Sequence, residues 1–148
     1  RYGTASAYLQ RAVRRNTQSP DAAQLLKTTN LVLQADPFAH RLSSRERSRR
    51  IHDAFDQAGT RLQDCAKSKA IDLTQSPPAT DLAKLHASWE DMKPKLAHLT
   101  ASSESTTGDA AMDLVFQIEQ QTQKQCSPPQ GMDEAITLLA QEHMGAER

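Results

Sequence analysis

An all-α fold is predicted, a bundle of about six antiparallel helices, and three observations predict it. Apolar residues recur every three or four positions through most of the chain. No run alternates Val, Ile, Thr or Tyr with polar residues, and no Asn-Gly or Asp-Gly hairpin turn occurs. Between the periodic runs stand helix-start signals, Ser19-Pro20-Asp21 and Ser43-Ser44-Arg45-Glu46, and proline stops such as Ser127-Pro128-Pro129. The 148 residues fit one helical domain with a core of its own. Within it the spacing separates a helical pair over residues 1–36 from a bundle over 43–148.

The first helix is expected over about Ala5–Asn16, with Ala5, Tyr8, Leu9, Ala12 and Val13 on one face. In the second, Ser19 can cap, Pro20 suits the first helical position and Asp21 the positive end of the dipole. Its expected inward stripe is Ala22, Leu25, Leu26, Thr29 and Leu33, and Asp36-Pro37 ends it. Ser43 and Glu46 form a capping box opening a third helix to about Ala66 or Lys69. Ile51, Ala54, Phe55, Ala58, Leu62 and Cys65 share its apolar face, and Gly59 reads as a close-packing position. A fourth helix starts near Thr80 or Asp81. Its stripe, Leu82, Leu85, Trp89, Met92, Leu96 and Leu99, is the most regular heptad in the chain. Pro94 predicts a kink there without ending the stripe. Ala101–Gly108 is rich in Ser and Thr and reads as a linker. Asp109 then opens a fifth helix with Ala111, Met112, Val115, Ile118 and Thr122 inward, ending near Cys126. The sixth runs from Met132 to about Met144, with Gly145 as its cap.

Composition narrows the function. Aromatics are only 4 % of the chain, so Leu, Ala, Ile and Val must build the core. No apolar run reaches the roughly 20 residues of a membrane-spanning helix, and mean hydropathy is −0.68. Eighteen basic residues balance eighteen acidic ones, which counts against nucleic acid as the main partner. The chain begins at Arg1 rather than Met, as expected of a piece of a longer protein.

Cys65 ends the third predicted helix and Cys126 the fifth. Alternating helices three and five run in the same direction, so both cysteines fall at one end of the bundle. A disulfide there closes a loop of about 60 residues and contributes roughly 4 kcal/mol; two buried thiols are the alternative. A disulfide implies export, and free thiols a cytoplasmic protein.

Residues 5–35 resemble a piece of a tetratricopeptide repeat array. Ala5, Leu9 and Ala12 stand at the spacing of that family's second-helix small–large–small positions, and Asn16–Ala22 is similar to its inter-repeat turn. Leu26 falls where the next first-helix leucine stands. Thr17 takes the usual place of a proline, Lys27 that of a small residue and Asn30 that of an aromatic. The resemblance makes the first two helices repeat-like and implies binding of a protein or peptide partner in a concave groove.

Candidate chemistry is sparse. Arg41, Arg45, Arg47, Arg49 and Arg50 crowd the start of the third helix, where positive charge opposes the macrodipole. They form an anion, nucleic-acid or acidic-partner patch, or else a solvated face paired with Glu46, Asp53 and Asp56. His86 and Glu90 share a face at i, i+4 but make too few ligands for a metal. No zinc, haem, phosphate-loop or nucleophile-elbow pattern occurs, so neither catalysis nor a cofactor is expected. Trp89 reads as a core anchor. The sequence therefore predicts a non-enzymatic protein–protein interaction or scaffold module, the terminal part of a helical-repeat protein. The alternative is an anion- or nucleic-acid-binding domain using Arg41–Arg50.

Overall fold

A computed structural model describes residues 20–99 and 104–146. Among the described residues there are five helices and no strand: α1 (Pro20–Ala35), α2 (Ser44–Ser68), α3 (Asp81–Ala97), α4 (Glu104–Gln125) and α5 (Met132–Ala146). The helix expected over Ala5–Asn16 lies outside the described residues, so five of the six expected helices are seen.

Helix α4 is the central element, with α2, α3 and α5 packed around it. Its predicted stripe, Ala111, Met112, Val115, Ile118 and Thr122, is buried throughout. Leu114, Phe116 and Glu119 are buried as well, because three neighbours cover more than one face. Helix α2 buries its whole predicted stripe, from Ile51 to Cys65. Its start is capped as the sequence requires: the Ser43 hydroxyl accepts from the Glu46 N–H at 3.1 Å. The Thr80 hydroxyl does the same for Ala83 at the start of α3.

Helix α2 ends in a Schellman turn built without glycine. Ala70 sits at φ 54°. The Ala70 N–H donates to Lys67 O at 3.2 Å, and the Ile71 N–H reaches back to Ala66 O at 2.9 Å. The partly buried Ile71 packs against the core beside this turn. At that same end of the bundle Cys65 and Cys126 form a disulfide, with Cα atoms 5.8 Å apart. The parallel course of α2 and α4 is what brings them together.

Trp89 anchors α3 to α2. Its ring stacks on Phe55 at 4.8 Å, and its indole N–H donates to Phe55 O at 2.9 Å. Gly59, one turn further along α2, is buried under the indole, and a Cβ there would overlap the ring. Helix α3 stays continuous through Pro94, and its stripe runs on to a buried Leu96 and a partly buried Leu99.

Four expectations need correction. Helix α4 begins at Glu104, inside the segment that reads as a linker. Its first turns are rich in Ser and Thr, but the buried Gly108 packs close to Ile51 of α2. Tertiary contact outweighs propensity differences of a few tenths of a kcal/mol per residue. Helix α5 continues through Gly145 to Ala146, so Gly145 is not its cap. Helix α1 packs on α5, the far end of the chain, more than on its sequence neighbour α2; the eight residues from Asp36 to Ser43 allow the detour. Finally, α1 is turned from its expected orientation. Thr28, Thr29, Val32 and Ala35 are buried, whereas Leu25 and Leu33 are 57 % and 36 % exposed. The Thr29 hydroxyl can enter the interface because it donates to Leu25 O at 2.7 Å.

Candidate functional site

The large exposed hydrophobic side chains among the described residues are Leu25, Leu33 and Phe38, all within α1 or just after it. Helix α1 carries an apolar arc wider than one neighbouring helix covers. The Thr28–Val32–Ala35 side meets α5, and on the other side Leu25 and Leu33 are exposed among the described residues. Past the end of α1, the Phe38 N–H is held by the Asp36 carboxylate at 2.8 Å, and the Phe38 ring stacks on His143 of α5 at 5.2 Å. His143 in turn meets Phe116 of α4 at 5.4 Å.

Phe38 lines two shallow grooves. One, of about 300 Å³, is shared with Ser44, Arg47, Ile51 and Asp109. The other, of about 240 Å³, is shared with Asp36, Phe116, Leu139 and Glu142. Each groove thus joins apolar walls to charged side chains.

The arginine cluster divides. Arg49 holds Glu46 through two contacts at 2.6 and 3.0 Å and reaches Asp53 at 2.8 Å. Arg50, with a side chain only 15 % exposed, bonds Glu46 at 3.0 Å. Its other end donates to Leu33 O and Asp36 O, each at 2.9 Å. It thereby caps the C-terminus of α1, where carbonyls lack partners and positive charge is favoured. The two guanidinium groups hold the Glu46 carboxyl at about 2, well below its ordinary value of 4.5. The Glu46 carboxylate therefore serves these arginines rather than the reciprocal half of the capping box, and only the Glu46 N–H meets Ser43. Arg41, Arg45 and Arg47 are exposed, and Arg47 stands at the first groove.

His86 and Glu90 meet at 3.5 Å, as their spacing implies. No group of three or more His, Cys, Asp or Glu that could hold a metal occurs among the described residues. No described helix is long and apolar enough to cross a membrane.

A buried polar cluster was not anticipated from sequence. Glu119 of α4 is fully buried. Asp133 and Thr137 of α5 face it, together with Arg61 of α2. The Gln57 amide donates to Asp133 Oδ2 at 3.1 Å. Both Glu119 oxygens, Asp133 Oδ1 and Arg61 Nε lack hydrogen-bond partners. Burial first, then Asp133, pushes the Glu119 carboxyl up to about 9. A signal for it exists: Glu119 lies four residues after Val115 and three before Thr122, on the predicted inward stripe.

No protein-family model, curated protein or solved structure matches this chain.

Proposed function

We propose that this chain is a non-enzymatic protein–protein interaction or scaffold module, the terminal part of a helical-repeat protein. The observation that supports it is the confinement of the exposed Leu25, Leu33 and Phe38 to one short stretch of α1 and its connector. Helices of a repeat array have two neighbours and so carry apolar residues on two sides. Helix α1 has that character, with one side on α5 and the other exposed among the described residues. A protein or peptide partner covers Leu25 and Leu33 and places an apolar side chain beside Phe38. Arg47, Asp109, Asp36 and Glu142 form the charged rim. The Cys65–Cys126 bridge supports an oxidising, exported setting.

Site-specific photocrosslinking in the native host tests this. A photoreactive side chain at position 33 should give a discrete protein adduct, and one at the exposed Lys84 should not. Leu25→Glu should abolish the adduct. Equal labelling from both positions, or none from position 33, contradicts the proposal.

A further inference from the structure

The cluster around Glu119 has no part in the proposed binding surface, and its geometry implies a different property. Carboxylates only accept hydrogen bonds. Glu119 and Asp133, on adjoining helices, therefore have nothing to donate to each other while both are ionised. Of the nearby donors, Arg61 Nε has no partner and reaches neither Glu119 oxygen, and the others are engaged. The Thr137 hydroxyl donates to Asp133 O at 2.8 Å, the Gln57 amide goes to Asp133 Oδ2, and an Arg61 terminal nitrogen goes to Ser127 O. A proton supplies the donor that the two carboxyl groups lack.

We propose that one proton, shared between the Glu119 and Asp133 carboxyls, latches α5 onto the disulfide-bonded core, so that raising the pH through neutrality loosens α5. The rest of the fold makes α5 the element that can move. Helices α2 and α4 are tied by Cys65–Cys126, and α2 and α3 by the Trp89–Phe55 contact. Helix α5 follows a turn at Gly131, φ 58°, and has no covalent tie to the core beyond that turn. The charged groups that face Glu119 are Arg61 from α2 and Asp133 from α5. From α3, Asp81 reaches α4 at Gln121, 3.5 Å away. Arg61 favours the ionised form, but burial and Asp133 act against it more strongly. When α5 opens, Glu119 meets water and releases its proton; when α5 closes, it takes one up.

Hydrogen exchange of the intact, oxidised protein tests the latch. Each opening releases one proton between the ordinary carboxyl range and about pH 9. Protection factors of α5 amides, corrected for intrinsic base catalysis, should therefore fall by up to tenfold per pH unit in that range. Glu119→Gln keeps the shape and removes the titration, so its α5 protection should be flat with pH. Parallel pH profiles for the two proteins would overturn the proposal. If Glu119→Gln does not fold, ¹³C titration of the wild-type carboxyls decides. One glutamate carboxyl still protonated at pH 7 supports the latch, and none refutes it.

Discussion

Gly59 shows how one atom can decide a helix position. Replacing a helical glycine by alanine ordinarily gains about 1 kcal/mol. Here the new Cβ would run into the Trp89 indole, which the stack on Phe55 and the 2.9 Å bond to Phe55 O hold in place. Overpacking of this kind costs about 1–3 kcal/mol, so Gly59→Ala should destabilise despite the propensity gain, and Gly59→Val more so. The single tryptophan makes this easy to follow: its fluorescence during urea unfolding should show a lower midpoint. Ala70 presents the opposite case. Its φ of 54° penalises any Cβ, by roughly 1–2 kcal/mol, while the Schellman bonds on either side need no side chain there. Ala70→Gly should raise stability by about 1 kcal/mol after the added unfolded-state entropy is counted. A urea midpoint below that of wild type would show that the turn is not strained.

At the scale of the element, α1 depends on a residue it does not contain. Arg50 donates to the terminal carbonyls of Leu33 and Asp36 and is itself aligned by Glu46. Removing it leaves those carbonyls short of a charged donor, so Arg50→Ala should cost about 2 kcal/mol and should deprotect the last turn of α1 first. Arg49→Ala, on an exposed and solvent-screened pair, should cost much less. Equal losses for the two arginines, by urea denaturation, would contradict the capping role. This division could not be read from the sequence, where both arginines belong to one charge cluster; the Arg50 contacts span 14 and 17 residues of chain. What local pattern does encode is the main buried stripe of a helix in the core, and α2 follows its pattern from Ile51 to Cys65. Where a helix meets several neighbours the pattern misses part of what is buried, and where it borders an open side the pattern can be turned. Leu25 and Leu33 read as core and are exposed, and the charged Glu119 is buried along the apolar stripe of α4. The early start of α4 escaped for a related reason. Gly108 against Ile51 is a contact between distant segments, which no window of Ser and Thr can reveal.

For the molecule as a whole, two carboxyls set opposite limbs of the pH profile. Glu46 is held at about 2 against an ordinary 4.5, so its contribution is present above pH 4.5 and lost as the pH falls towards 2. Glu119 is raised to about 9. The folded form keeps a proton that the unfolded form gives up, and stability should decline by up to about 1.4 kcal/mol per pH unit from pH 4.5 upward. Together they place maximum stability near pH 5, which urea midpoints from pH 3 to 9 would check; a maximum at pH 8 would contradict it. The disulfide governs the same end of the molecule. Cys65 and Cys126 lie 61 residues apart, and a loop of that size is worth about 4 kcal/mol. Reduction, or the pair Cys65→Ala and Cys126→Ala, should lower stability by that order. It should also reach the Glu119 cluster, because Arg61 is bound to the carbonyl of Ser127, the residue after Cys126. Once the bridge is broken that carbonyl is held less firmly, and Arg61 can turn towards Glu119, stabilise its ionised form and flatten the alkaline decline. A reduced protein that is weaker overall yet less sensitive to rising pH is the expected signature, and an unchanged slope after reduction would show that the bridge and the cluster act independently.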